Sequence, residues 1–393
     1  MKIALVCSAS VPATQFGGPL TLFVDLAREL AKLENDVTIY TTDLDAANNI
    51  HTFNKNLPRL ETYEGFKINR THVWFAIHAF FVNPGMHGQL KKDKPDVIHT
   101  IGVRSFQSLI AALVSKRYKI PLVVSDQSGL ATQPEEKKGS ATKRILYKIQ
   151  SPMVKFVINQ ATKISVPNEY EKQVFKNFCD DSKVIVIPNG ISLEALYSKA
   201  SHFKEKYGIK ESFILFVGRF TKIKGIDTLL QAFALIKNEP EARQLKLVIM
   251  GVDFGFEHDM MKMIEELDMK NRVLVIKKPP REDVISAYGE SEFLVLPSRW
   301  ELSPITPLEG LAFKKAIIST KAHGIPYTIK DKECCTLVDP EDYQQLSQAI
   351  LELLRNEKKK IQYGLSGFQY VNEVANSKTM AERTLKLYQG LVI

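Results

Sequence analysis

The stretch FILFVGRFTKIKGIDTLLQAF, residues 213–233, shows the repeating unit of the fold. Phe213–Val217 is an unbroken apolar run, the pattern of a strand covered on both faces of a sheet. A short loop with Gly218, Arg219, Lys222, Lys224 and Gly225 interrupts it. Ile226, Leu229, Leu230, Phe233 and Ile236 then recur at helical spacing. Strand, charged loop and amphipathic helix in that order form the repeat of a parallel α/β sheet with right-handed crossovers.

The same alternation extends in both directions. Downstream, apolar runs stand at Lys246–Met250, Arg272–Ile276, Phe293–Leu296, Ala316–Ser319 and Cys335–Val338. Upstream they stand at Lys2–Cys7, Asp36–Thr42, Asp96–Thr100, Pro121–Ser125, Lys163–Val166 and Lys183–Ile187. Leu20, Phe23, Val24, Ala27, Leu30 and Ala31 form a second helical stripe. The pattern restarts at Phe213 after the turn Pro188-Asn189-Gly190 and a polar stretch, Ile191–Ser212, that reads as a linker. The fold class is therefore α/β, with two doubly wound Rossmann-like domains, 1–190 and 191–372. A C-terminal segment, 373–393, contains one helix, about Asn376–Tyr388, and no strand after it.

Composition agrees with this. A chain of 393 residues, 45% apolar and 25% charged, is long enough for two cores. With 20 glycines and 18 prolines it is neither collagen-like nor low-complexity. No run approaches the ~18 apolar residues of a spanning helix. The start, MKIALVCSAS, has a single lysine and a short apolar run, and reads as a buried first strand rather than a secretory signal. Cys7, Cys179, Cys334 and Cys335 lack CxxC spacing, so neither a disulfide framework nor a zinc site is expected. A reducing, cytoplasmic location fits.

The net charge of +9 is uneven. Residues 1–200 carry 25 Lys and Arg against 18 Asp and Glu, whereas the remainder carries 28 against 26. The first half should therefore meet an anionic partner. From Lys137 to Asn168 there is no acidic residue, and Lys137, Lys138, Lys143, Arg144, Lys148, Lys155 and Lys163 alternate with apolar side chains. A second stretch, Trp74-Phe75 through Phe80-Phe81 to Lys91-Lys92, is aromatic and then basic. Either suits the anionic inner face of a membrane, with Lys137–Lys163 the first choice; a packing helix with a solvated basic face suits them equally. No nucleic-acid recognition motif accompanies the charge.

Doubly wound sheets bind ligands beyond the carboxyl ends of their strands. Phe16-Gly17-Gly18-Pro19 follows the first strand and opens a helix whose N-terminus would face an anion. It is not GxGxxG, so a dinucleotide site is not supported. Arg219 and Lys224, beside Gly218, could clamp a diphosphate through a fork and a point charge, or be plain surface charge. Glu301 stands on a loop after a strand, and Glu309 follows in a helix expected to start near Thr306 or Pro307. Free amides at that helix start suit an anion, and the carboxylates suit sugar hydroxyls. For Glu309, helix-dipole complementarity is an equal reading. Asp126, at a strand end, could orient an acceptor hydroxyl or serve as a cap. His99 and His323 are weaker candidates, and Cys334 and Cys335 read as core.

These motifs, Phe16-Gly17-Gly18, Pro188-Asn189-Gly190, GRFTKIKG at 218–225 and PSRWELSPITPLEG at 297–310, resemble the retaining glycosyltransferases of family 4, the glycosyl transferases group 1 family. The resemblance spans nearly the whole chain, and its second half is the more specific. It implies a GT-B fold: two Rossmann-like domains facing across a cleft, with a last helix crossing back to the first domain. It implies a hexosyltransferase that moves a sugar from a nucleotide-diphosphate donor to a glycan or lipid-linked acceptor, with retained configuration and no metal or other cofactor. Arg219 and Lys224 would hold the diphosphate, with Gly218 and the Ser303, Pro304, Ile305 and Thr306 segment. Glu309 would hold the ribose, Glu301 the transferred sugar, and Gly17 and Gly18 would line the cleft. Three departures stand out. Asp126-Gln127 replaces the family's histidine, Ser303-Pro304-Ile305 replaces glycines, and Ile325-Pro326-Tyr327 follows His323-Gly324. The rival readings are a GT-B nucleotide-sugar epimerase or phosphorylase, a non-catalytic GT-B scaffold and, least supported, a dehydrogenase.

Overall fold

The computed structural model describes all residues except 14–17, 46–51, 78–79, 128–140, 198–201, 330–332 and 393. The chain divides into two compact units, Met1–Gly190 with Ser377–Ile393, and Ile191–Asn376.

Among the described residues the first unit is built on ten strands: β1 (Lys2–Val6), β2 (Asp36–Thr42), β3 (Leu60–Tyr63), β4 (Phe66–Thr71), β5 (Phe75–Ile77), β6 (Phe80–Val82), β7 (Val97–Ile101), β8 (Leu122–Ser125), β9 (Lys163–Val166) and β10 (Val184–Val186). Eight make one sheet in the order β10-β9-β8-β7-β1-β2-β4-β3, and β5 and β6 pair antiparallel in a separate two-stranded sheet. All pairs in the large sheet are parallel except β3 with β4. The register sets Lys2 against Asp36 and Ile3 against Val97, so β1 lies where the strand order reverses. Ala4, Val6, Ile98, Leu122, Val124 and Ile164 bring the strands into a common core.

Six of these strands match the apolar runs in the sequence, whereas β3 to β6 do not. In β4, Phe-Lys-Ile-Asn-Arg-Thr, the polar residues Asn69, Arg70 and Thr71 are buried while Lys67 is exposed. Arg70 is only 4% exposed. Its guanidinium donates to the carbonyls of Pro58 at 2.9 Å and Val11 at 2.8 Å, and to Glu61 at 2.6 Å. Those partners offset the cost of burial, so hydrophobicity does not mark the strand.

The last helix, Ser377–Gln389, belongs to the first unit. It packs on the first helix, Gly18–Lys32. Tyr388 is fully buried there, and its hydroxyl lies 2.5 Å from Nδ1 of His99.

The second unit carries β11 (Phe213–Val217), β12 (Lys246–Gly251), β13 (Val273–Lys277), β14 (Leu294–Leu296), β15 (Ile317–Thr320) and β16 (Cys335–Val338). Their order is β13-β12-β11-β14-β15-β16, all parallel. β11 pairs with β12 on one side and β14 on the other, which makes its carboxyl end the switch point of the sheet. The stretch Ile191–Ser212 is not the linker that its polarity suggests. It holds two short helices, Leu193–Tyr197 and Phe203–Lys206. Leu196 and Phe203 are buried in the core of the second unit. Ile191 is buried with them, and Leu193, Tyr207 and Ile209 pack against the same core, so a few apolar anchors dock a segment that is otherwise polar.

Candidate functional site

In the second unit the loop after β11 is bound to the loop after β14. Gly225 has φ +68°, and a Cβ on it would stand 2.0 Å from the carbonyl oxygen of Pro297. Only glycine permits that approach. The amide of Arg299 donates to the Ile223 carbonyl at 2.7 Å. The Arg299 guanidinium grips Asp227 at 2.7 and 2.9 Å and reaches Glu341 at 2.5 Å. With the loops stapled in this way, the ammonium of Lys224 meets the carboxylate of Glu301 in an ion pair. Both side chains are about four-fifths buried, at 20% and 16% exposure. Two residues far apart in sequence are thus brought to one point at the switch of the sheet.

Arg219 lies on the same loop, exposed to solvent, with its guanidinium 5.3 Å from the centre of the Phe254 ring. The Phe254 amide donates to the Phe220 carbonyl at 3.1 Å, and the Phe220 amide to Val252 at 2.8 Å, so Arg219 and Phe254 are held side by side. Gly218 is close-packed, with Lys224 Cδ 3.8 Å from where its Cβ would be.

The helix expected near Thr306 runs from Ile305 to Ala312. Pro304 caps it and makes no side-chain bond to its first amides. Ser303, Pro304, Ile305 and Thr306 are half-buried. Gly324 fits tightly here too: its amide donates to the Glu301 carbonyl at 3.0 Å, and a Cβ on it would meet the Leu302 carbonyl oxygen at 1.7 Å. Trp300 lies edge-on to His323, whose titration burial shifts downward. One turn into the helix, Glu309 is 8% exposed and bonded to Arg281 and Tyr288. Spacing did not reveal Arg281, Tyr288 or Arg299, because their partners lie on other elements.

In the first unit, Gly18 begins the first helix, and Gly17 lies outside the described residues. Asp126 has no solvent exposure. It lies near Glu171, which is 2% exposed and, among the described residues, has no hydrogen-bond partner at either carboxyl oxygen. Burial first, and the charge of Asp126 second, push the Glu171 carboxyl well above its ordinary value. Gln127 does reach a small cavity, paired amide to amide with Asn189 at 3.0 and 3.3 Å. His99, Ser125, Met380 and Thr384 also line it.

The sequence also holds an Asp-x-Asp triplet, Asp43-Leu44-Asp45, that the motif reading missed. Its carboxylates are engaged: Asp43 with His72 and the Val73 amide, Asp45 with the Asn54 amide at 2.6 Å. Among the described residues, no three His, Cys, Asp or Glu side chains form a group that could hold a metal ion.

Comparison with known proteins bears on both units. Residues 16–195 match the family model described as Glycosyltransferase Family 4, and residues 198–367 match that described as Glycosyl transferases group 1. An uncharacterized glycosyltransferase of Methanocaldococcus jannaschii is 25% identical over 403 aligned residues, covering 100% of this chain and 99% of its own. Sucrose-phosphate synthase of Thermosynechococcus elongatus superposes with a TM-score of 0.77 at 19% identity, over 100% of this chain and 99% of its own. The Anabaena protein HepE, solved in complex with UDP-glucose, superposes with a TM-score of 0.77 at 16% identity, over 99% of this chain and 100% of its own.

Proposed function

The chain belongs to the group 1, family 4 glycosyltransferases and has the GT-B fold; from that premise we propose that it moves a hexosyl group from a nucleoside-diphosphate donor to a glycan or lipid-linked acceptor, with retained configuration and without a metal ion. The observation that carries this reading is the Lys224–Glu301 pair on two stapled loops at the carboxyl end of β11. A cation for a diphosphate and a carboxylate for sugar hydroxyls stand together there. HepE, which shares the fold, was solved with UDP-glucose, and that supports a donor of this class.

In the proposed step the bond from the anomeric carbon to the diphosphate oxygen breaks, and its electron pair leaves with the oxygen. Arg219, Lys224 and the open amides around Ser303, Ile305 and Thr306 stabilise the growing negative charge. The Gly218 backbone gives the diphosphate close access. Glu301 accepts hydrogen bonds from the transferred sugar, and Glu309 from the ribose. The acceptor hydroxyl attacks from the face that the leaving group vacates, and its proton passes to the departing phosphate oxygen. Asp126, which directly follows β8, would orient the acceptor hydroxyl. Gly18 would line the acceptor side of the site.

Product analysis tests the reading. Incubation with a nucleotide sugar and acceptor is expected to yield a glycoside whose anomeric configuration, read by NMR, matches the donor. An inverted product, or an isomerised donor formed without acceptor, contradicts it.

We further propose that the first unit rests on an anionic bilayer. Within Lys137–Lys163, Lys137 and Lys138 fall outside the described residues. The helix Ala141–Gln160 presents Ile145 at 57% and Ile149 at 70% exposure, with Lys148 and Lys155 exposed nearby. In the second basic stretch, Trp74 is 72% exposed, whereas Phe81 is buried at 1% and faces no solvent. Among the described residues no helix is long and apolar enough to cross a membrane. Apolar side chains ringed by lysines suit surface attachment. Flotation with anionic vesicles should carry the protein upward, and Ile149→Asp should reduce this; equal behaviour with neutral vesicles contradicts it.

A further inference from the structure

We propose that Phe254 is a positioning residue for the donor: its ring holds the guanidinium of Arg219, so that Arg219 meets the diphosphate with its fork already oriented. This rests on the reading of Arg219 as a diphosphate ligand, and adds what orients that side chain.

The two cations of the loop after β11 are held in different ways. Lys224 is neutralised by Glu301 in a pair about four-fifths buried on both sides. Arg219 is exposed, and among the described residues its guanidinium has neither a hydrogen-bond nor an ion-pair partner. Its charge is uncompensated and its N–H donors are unspent. What it meets is the Phe254 ring, with 5.3 Å from the guanidinium carbon to the ring centre. That is inside the range of about 6 Å in which the ring quadrupole attracts a cation. A carboxylate could hold the side chain too, but it would occupy the donors and cancel the charge that a diphosphate needs. A ring takes the flat face of the guanidinium and leaves the edge, where the N–H groups lie, available.

The ring is mounted on rigid backbone. Phe220 and Asp253 form a parallel bridge just beyond β11 and β12. Gly251 lies so close to the first loop that a Cβ on it would stand 1.8 Å from the Gly218 carbonyl oxygen. Asp253 Oδ1 accepts from the amides of Gly255, Phe256 and Glu257 at 2.9, 3.0 and 2.9 Å, which fixes the turn after Phe254. Phe220 and Phe256 are buried at 0% and 5% exposure, whereas Phe254 is 53% exposed. Phe254 thus adds less to the core than its neighbours do, and its ring is left for Arg219. A guanidinium held in advance loses less freedom when a ligand arrives.

Calorimetric titration of the intact protein tests this, with whichever of UDP, GDP and ADP binds it. Phe254→Leu keeps an apolar side chain and removes the ring. It should weaken the diphosphate about two- to fivefold, the worth of a cation–π contact at an exposed site. Phe254→Trp restores a ring face and should bind as tightly as the parent or more so. Arg219→Ala should weaken binding about tenfold or more, and in that background Phe254→Leu should have no further effect. A merely structural role would lower affinity by the same factor in both backgrounds and would not be rescued by tryptophan. Unchanged affinity in a folded Phe254→Leu protein, a tryptophan variant as weak as the leucine one, or equal losses with and without Arg219 overturns the inference alone. Where Arg219→Ala binds too weakly to titrate, the comparison of leucine with tryptophan decides. If none of the three diphosphates binds, or Arg219→Ala binds as the parent does, the reading of Arg219 fails and the inference fails with it.

Discussion

On β7 the imidazole of His99 lies 2.6 Å from the Ser125 hydroxyl and 2.5 Å from that of Tyr388, with 3% exposure. Burial lowers its pKa from 6.5 to about 3. The unfolded chain therefore binds a proton that the folded one refuses between those values. This contribution to stability is whole above pH 6.5 and is lost as pH falls toward 3, at about 1.4 kcal/mol per pH unit. His99→Gln should abolish that part of the pH dependence in urea unfolding of the first unit. Glu171 has the opposite sign. Its folded pKa is raised above 4.5, so the stability it contributes is present below pH 4.5 and is lost as pH rises. Glu171→Gln should thus stabilise the protein relative to the parent by an amount that grows above pH 4.5. A difference that does not vary with pH would show that the carboxyl is not strained. Neither effect was legible in the sequence, where His99 and Glu171 are two polar letters among many. Their behaviour comes from what the sheet packs around them.

Elements were easier to read than contacts. Apolar runs revealed every strand of the second unit, because strands covered on both faces must be apolar throughout. They failed for β4, since Arg70 and Asn69 are buried with only 4% and 6% exposure, and for β3, a four-residue strand on the sheet edge with none of its residues buried. Motif spacing singled out Lys224, Glu301 and Glu309, yet it could not show Arg299 clamping Asp227 or Tyr288 bonding Glu309, which depend on how helices and loops pack. The Gly225 turn is the element on which the site depends most. Gly225→Ala imposes an unfavourable φ and a clash with Pro297, and should cost about 2 kcal/mol or more, or roughly 4–8 °C in melting temperature. Initial rates measured well below the melting temperature should fall further than stability alone explains, since the turn sets Lys224 against Glu301. An alanine variant with unchanged rates would separate the turn from the site.

Across the molecule, the groups assigned to the donor, Arg219, Lys224, Glu301 and Glu309, all belong to the unit Ile191–Asn376. A fragment of those residues should fold and bind the same nucleoside diphosphate as the whole chain, and should transfer no sugar, since Gly18, Gln127 and the rest of the first unit are missing. By contrast, residues 1–190 alone lack Tyr388 and Met380, and should unfold more readily than the unit completed by its C-terminal helix. The central claim is that a diphosphate is gripped at the carboxyl end of β11. It is tested most directly by the thermal stability of the intact protein with UDP-, GDP- and ADP-sugars. A ligand at a hundred times its dissociation constant stabilises the folded state by about 2.7 kcal/mol. One of these series should raise the melting temperature of the parent, while a folded Lys224→Ala variant should lose that rise and turn over at least about tenfold more slowly. No rise with any nucleotide sugar, or the same rise in both proteins, would contradict the account.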